Sequence, residues 1–156
     1  MRRTSPILFL PAVLLLIASC APEPLKQAGM QGESVLGLVR DLASAYERKD
    51  IESFMEKVSP AFPDRDGFRR SVENVFSAYQ TIRQKVQYTR LQITVPAKGD
   101  IKMTFTWEGE WHTLGGKIIK DGARSMLLLD KGTFKLLGIE GKNPYLPVQN
   151  PVPVRQ

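Results

Sequence analysis

The sequence is poor in the two side chains that most often hold metals. Its 156 residues include one cysteine and one histidine. No second cysteine is present to form a disulfide, and a zinc or iron–sulfur ligand set of recognisable spacing cannot be assembled from one residue of each type. We therefore expect no metal site and no cofactor.

A dense basic cluster is also missing. Lysine and arginine outnumber aspartate and glutamate by 22 to 16, which gives a net charge of +6. The basic residues are scattered, however, and they do not alternate with aromatic residues along one strand, as a nucleic-acid interface would favour. We expect no nucleic-acid partner. The excess positive charge suits a solvated surface or the neighbourhood of an anionic lipid bilayer.

The chain lacks an apolar run of the roughly 20 residues that comfortably cross a bilayer. Its longest apolar stretch, residues 7–17, follows two arginines and precedes Ala18 and Ser19. A basic start, a short apolar segment and a small-residue end form the layout of a secretory signal peptide. Residues 1–19 are therefore predicted to be a signal peptide.

The residues Ile17-Ala18-Ser19-Cys20 resemble the lipobox of bacterial lipoproteins, in which an aliphatic residue and two small residues precede a cysteine. The resemblance covers only the first 20 residues. It implies cleavage before Cys20, acylation of the Cys20 sulfur and anchoring in a membrane. Because Ala21 follows in place of an aspartate, it also implies the outer membrane, facing the periplasm. The ordinary alternatives are a plain secretory signal and a buried core cysteine.

The remaining chain suits one domain with a modest core. Removal of residues 1–19 leaves 137 of the 156 residues and lowers the net charge from +6 to +4, since two arginines are lost. Residues 20–32, with two prolines and two glycines, are predicted to form a flexible tether after the lipidated cysteine. The domain is predicted over residues 33–142, followed by a Pro-rich tail over residues 143–156.

The spacing of apolar residues changes once along the domain. Steps of three and four predict amphipathic helices over about residues 34–49, residues 51–58 and residues 66–85, with Asp50 and Asp66 as helix caps. A period of two then predicts strands over residues 91–95, 101–108, 123–129 and 133–141. Residues 113–122, which include three glycines, are predicted to form a long or irregular connection.

Three helices followed by about four antiparallel strands predict an α+β domain with the helices on one face of a curved sheet. This order, with residues 45–50, 104–107 and 132–141, resembles the NTF2-like, cystatin-like cone fold over about residues 33–146. The resemblance implies a conical pocket between sheet and helices. Members of this fold include isomerases, dehydratases, transport adaptors and binding domains, so the fold leaves the function open.

His112 is the candidate catalytic residue, because it would be the natural general base at neutral pH. In a regular strand Glu108, Glu110 and His112 face away from the helices, whereas a bulge at Gly109 would reverse Glu110 and His112. A surface histidine is the ordinary alternative. No acid falls among the apolar positions of the predicted elements, which argues against a catalytic pair inside the cone.

Aromatic residues are the candidates for a ligand-binding surface: Trp107, Trp111, Tyr46 and Tyr79. Aromatic residues at strand spacing are more often part of a core. The ligand-binding residues therefore stay open at this point.

Three hypotheses remain. The first is a non-catalytic lipoprotein domain that binds an envelope protein partner or a small apolar ligand. The second is a structural or assembly accessory that forms a homodimer through its sheet. The third is a small hydrolase or isomerase with His112 as base. An apolar interior pocket would favour ligand binding, a flat apolar sheet face would favour a protein partner, and a buried His112 bonded to a carboxylate would favour the enzyme.

Overall fold

A computed structural model describes residues 23–96 and 98–147, with the backbone alone described for residues 23–31 and 88–91. The predicted signal peptide, Cys20 and the end of the predicted tail lie outside the described residues. The elements are the helices α1 (Glu23–Glu47), α2 (Ile51–Glu56) and α3 (Arg65–Ala78) and the strands β1 (Tyr79–Thr94), β2 (Ile101–Thr113), β3 (Ile118–Leu129) and β4 (Leu136–Gly141).

The strands form one antiparallel sheet in the order β1-β2-β3-β4. The predicted α+β class, with three helices before a four-stranded meander, is confirmed. Short turns explain the order, because antiparallel neighbours need only a tight connection. Within the described residues, no helix combines the length and the apolar character needed to span a bilayer.

Helix α1 begins eleven residues earlier than predicted. The prediction placed its start at Ser34, whereas the helix begins at Glu23, so residues 23–32 of the predicted tether lie in a helix. Pro24 is compatible with this start, because the first turn of a helix does not use its N–H groups within the helix. The prediction treated proline and glycine as breakers and did not allow for proline's place in a first turn.

Helix α2 begins as predicted. The Asp50 side chain accepts a hydrogen bond from the Ser53 backbone N–H at 3.1 Å, which is the geometry of an N-cap. The cap of α3 was predicted at the wrong aspartate. Asp64, not Asp66, accepts the bond from the Gly67 N–H, at 3.1 Å.

The predicted third helix is too long, because residues 79–85 belong to β1. Ile82 and Val86, which are both buried, stand four residues apart. A spacing of four fits one face of a helix and also one face of a strand, so the apolar pattern alone could not separate the two.

The predicted irregular connection is wrong over residues 118–122, which begin β3. Strands β2 and β3 pair without a break from Ile101 with Leu129 to His112 with Ile118. No bulge occurs at Gly109, so Glu108, Glu110 and His112 share the outer face of the sheet. Glycines suggested a loop here, but Gly122 lies inside the strand, where a Cβ atom would stand 2.9 Å from the Trp107 carbonyl oxygen.

The core lies between the inner face of the sheet and the three helices. Its largest fully buried side chains are Trp107, Trp111, Tyr46, Tyr145, Phe54 and Phe105. Tyr145 corrects a predicted boundary, since the domain was predicted to end at residue 142. The chain instead turns back at Asn143, whose side-chain oxygen accepts the Tyr145 N–H at 2.9 Å. This Asn-Pro turn carries Tyr145 into the core.

Candidate functional site

The interior of the cone is filled by aromatic side chains. The Tyr46 hydroxyl accepts a hydrogen bond from Trp111 Nε1 at 3.0 Å and donates one to the Tyr145 carbonyl oxygen at 2.8 Å. The Tyr145 ring lies 5.2 Å from the Tyr46 ring and 4.9 Å from the Phe54 ring, both edge to face. Burial raises the pKa of Tyr46 far above its usual range, so this hydroxyl stays protonated and can donate.

The structure brings most of the predicted aromatic candidates together. Tyr46 and Trp111 are hydrogen-bonded, and the Trp107 ring stands edge-on to Trp111 at 6.3 Å. Trp107 Nε1 donates to the buried Ser125 Oγ at 2.8 Å. Tyr79, also buried, begins β1. The polar atoms of Tyr46, Trp107 and Trp111 are thus satisfied inside the protein, as in a closed core.

An inner-face acid escaped the sequence analysis. Asp121 lies on β3 between Ile119 and Ala123, opposite Gly109 of β2. Its side chain is 13% exposed and forms an ion pair with Lys142. The alternation of Ile119, Asp121 and Ala123 could have placed it on the inner face, but the three glycines of residues 113–122 predicted a loop. The described residues contain no group of three or more potential metal ligands.

The outer face of the sheet carries the open concave surface. A groove of about 540 Å³ crosses strands β1, β2 and β3, and a second of about 890 Å³ adjoins it. Both include Glu108 and Gly122, and the missing side chain at Gly122 leaves room between them. The first groove is lined by residues of both charges. On the outer-face parity, basic residues lie on the flanking strands and acidic residues on β2: Arg83 and Lys85, Glu108 and Glu110, and Lys120. Asp121 of β3 also lines the groove, but it has the parity of the inner face.

His112 lies at one end of this outer face and contacts a carboxylate. Its Nε2 is 2.6 Å from Glu110 Oε1, and Lys120 Nζ is 3.2 Å from the other Glu110 oxygen. The His112 side chain is 29% exposed, so the pair is half-buried. Hydrogen bonds from His112 and then Lys120 hold the pKa of Glu110 below its ordinary value of 4.5. Glu110 is therefore an anion at neutral pH.

Replacing His112 by alanine should raise the Glu110 pKa toward 4.5, because the His112 contact is the largest single cause of the lowering. An NMR titration of the Glu110 carboxyl carbon measures the change, with Arg70→Ala on the distant surface of α3 as the control. The pKa is lower in the folded chain than in the unfolded chain, so these contacts stabilise the fold at neutral pH. That contribution is lost as the pH falls through the folded-state pKa. If the Glu110 pKa is the same in His112→Ala as in the unsubstituted protein, the contact between His112 and Glu110 is contradicted.

Two large apolar side chains are exposed where β2 turns into β3. Leu114 is 79% exposed and Ile118, which pairs with His112, is 47% exposed. We call Leu114, Ile118 and the adjoining charged groove the hairpin end of the outer face. Most other described positions on the outer face are polar or charged, so the flat apolar surface that would favour a protein partner is confined there to these two side chains.

No protein-family model matches this sequence, and no curated protein matches it significantly. Solved structures do resemble it. An NTF2-like superfamily protein from Salmonella enterica serovar Typhimurium aligns with a TM-score of 0.63 at 8% identity, over 83% of this chain and 99% of that one. A protein assigned as a scytalone dehydratase, from Novosphingobium aromaticivorans, aligns at 0.62 and 8%, over 80% and 97%.

A third structure, a protein assigned as an aromatic ring hydroxylase from Novosphingobium aromaticivorans, aligns with a TM-score of 0.61 at 13% identity, over 68% of this chain and 83% of that one. At such identities the likeness concerns the fold alone. The chain therefore has an NTF2-like fold, as the order of its elements indicated, and its function must be argued from its own surfaces.

Proposed function

We propose that this protein is a lipid-anchored bacterial lipoprotein whose NTF2-like domain binds an envelope protein without catalysis, through the hairpin end of its outer face. The protein is anchored through Cys20, and it is located on the periplasmic side of the outer membrane. The observation that carries the proposal is the contrast between the two faces of the sheet. The inner face is packed with aromatic residues whose polar atoms are hydrogen-bonded within the protein. The outer face holds open charged grooves beside exposed Leu114 and Ile118.

Helix α1 separates the hairpin end from the anchor. Cys20 precedes Glu23, the first residue of α1, by three positions, and 25 helical residues span about 37 Å. At the other end of α1, Glu47 accepts a hydrogen bond from the Gln84 N–H at 2.6 Å. Gln84 follows Arg83 on β1. Arg83 pairs across the sheet with Glu110 of β2, and Glu110 pairs with Lys120 of β3. The hairpin end is therefore close to the end of α1 that points away from the acylated cysteine.

That separation favours a protein partner over the lipid surface. The arginine and lysines of the groove, beside exposed apolar residues, could otherwise serve as a second membrane contact. Because the anchor is at the opposite end of a helix about 37 Å long, the hairpin end faces the space that other envelope proteins occupy. The partner surface expected there is polar with a small apolar element, since two exposed apolar side chains adjoin several charged ones.

The anchor and the partner surface can be tested in one set of variants. A photoreactive phenylalanine analogue in place of Leu114 should form a crosslinked adduct with another envelope protein. The same analogue in place of the exposed Arg70 of α3 should not. Lys120→Glu reverses a charge in the groove at a side chain that is 74% exposed, and should reduce the Leu114 adduct about tenfold or more. Cys20→Ala should move the protein from the membrane to the soluble fraction and abolish the adduct.

The opposite results separate the two parts of the proposal. Membrane association that persists in Cys20→Ala would contradict the lipid anchor. Equal adducts at Leu114 and Arg70, or a Leu114 adduct indifferent to Lys120→Glu, would contradict the partner surface. Adducts only between copies of the chain would favour the homodimeric accessory instead.

The contact between His112 and Glu110 favours a second candidate, a small acid–base hydrolase or isomerase. A histidine held by an ionised carboxylate can take up and return a proton, and the 540 Å³ groove lies beside it. The groove is open to water on the outer face. Electrostatic interactions are weaker in water than in a closed site, so the His112–Glu110 pair would contribute less to catalysis there. Binding is therefore the preferred function.

A further inference from the structure

Residues 142–146, which we call the plug, cross the inner face of the sheet and place Tyr145 among the aromatic residues of α1 and α2. We propose that the plug occupies a binding chamber of the cone, and that its release opens this chamber to a small phenolic compound that competes with Tyr145. The inference concerns the inner face and does not depend on the function proposed for the outer face.

The plug is held by side chains of three separate elements. Ser125 Oγ of β3 donates to the Lys142 carbonyl oxygen at 2.5 Å, and Gln84 Nε2 of β1 donates to the Pro144 carbonyl oxygen at 3.0 Å. Tyr46 Oη of α1 donates to the Tyr145 carbonyl oxygen at 2.8 Å. The plug therefore spans the inner face from β3 to β1, and it covers the space between sheet and helices.

Its attachment differs from that of the strands. Among the described residues, no backbone-to-backbone hydrogen bond joins residues 143–146 to another element, and the one such bond they show runs from the Leu146 N–H to the Asn143 carbonyl within the plug. Release of the plug thus breaks side-chain contacts and leaves every strand pairing intact. Local opening of this kind requires less free energy than global unfolding.

The chamber's chemistry follows from the groups that release would free. Tyr46 Oη, the Gln84 amide and Ser125 Oγ would each lose an acceptor, and the Asp121 carboxylate would lose the Lys142 ammonium. The Phe54 ring would lose the Tyr145 ring that lies against it edge to face at 4.9 Å. An aromatic wall with convergent polar groups suits a small ring that carries a hydroxyl, as the tyrosine side chain itself does.

The test uses p-cresol, which is the tyrosine side chain as a free molecule, and the full-length protein labelled with 3-fluorotyrosine. The fluorine signal of Tyr145 is assigned by its loss in Tyr145→Phe. Added p-cresol should convert that signal from a buried to a solvent-exposed position. Lys142→Ala loosens the plug without touching the aromatic wall or the freed polar groups of Tyr46, Gln84 and Ser125, and should tighten p-cresol binding about tenfold, because a competitor held less firmly leaves more of the chamber open.

Asp64→Ala is the matched control, since it removes the cap of α3 and weakens the fold away from the plug. It should leave the affinity for p-cresol unchanged. The inference is overturned if p-cresol does not bind, if it binds while the Tyr145 signal stays buried, or if Asp64→Ala tightens binding as much as the loosened plug does.

Discussion

Gly109→Ala should lower the free energy of unfolding by about 3 kcal/mol, the upper end of the range for overpacked cores. A Cβ atom at Gly109 would lie 2.1 Å from Cη2 and 2.5 Å from Cζ3 of the Trp111 ring. That ring cannot swing aside freely, because it is fully buried and its Nε1 is hydrogen-bonded to Tyr46. Urea denaturation followed by tryptophan fluorescence measures the change.

Gly37→Ala is the matched control and should have the opposite sign. Gly37 lies within α1, and a Cβ atom there meets nothing within 4 Å. Alanine should therefore stabilise the protein by about 0.4–1 kcal/mol, since it reduces the freedom of the unfolded chain and favours the helix. Equal destabilisation by the two substitutions would contradict the close packing of Trp111 over Gly109.

The face of each strand could be predicted where apolar and polar residues alternate strictly. Residues 101–108 show this alternation, and the structure places Met103, Phe105 and Trp107 inside and Glu108 outside. The same parity carried on to Trp111 and His112 because β2 has no bulge at Gly109. The outward position of His112 was thus available from the sequence once the strand was taken as regular.

The limits of α3 and β3 could not be predicted in the same way. Ile82 and Val86 satisfy both periods, so the boundary at Tyr79 depends on pairing with β2, which is a contact distant in sequence. Gly122 belongs to a strand because the neighbouring strand's backbone comes within 2.9 Å of its missing Cβ. Local propensity is outweighed at both places by tertiary packing.

The hydrogen-bond partners of the buried inner-face residues could not be predicted from the sequence either. Tyr46 and Tyr145 are 99 positions apart, and Trp111 and Tyr46 are 65 apart. A proline-rich end predicts extended chain, and only the Asn-Pro turn hints that residues 143–146 fold back. The closed interior is a consequence of that turn, so the sequence could suggest a cone but not what fills it.

The Tyr46 hydroxyl links three elements at the centre of that interior, and its removal should have the second large effect. Tyr46→Phe keeps the ring and its contacts but removes both hydrogen bonds of the hydroxyl. Trp111 Nε1 and the Tyr145 carbonyl oxygen are then left buried without this partner, at about 1–3 kcal/mol for each group. We expect the free energy of unfolding to fall by about 3 kcal/mol, with an unchanged denaturant slope.

Tyr79→Phe separates the loss of hydrogen bonds from the loss of a hydroxyl as such. Tyr79 is also buried, but the described residues show no hydrogen bond from its hydroxyl, so its replacement should change the unfolding free energy by less than about 0.5 kcal/mol. A further variant locates the cause. In a Trp111→Phe background, which has no indole N–H to satisfy, Tyr46→Phe should cost about half as much, because the two side chains form one network. If Tyr46→Phe and Tyr79→Phe prove equally mild, the tyrosine at the centre of the cone acts through its ring alone.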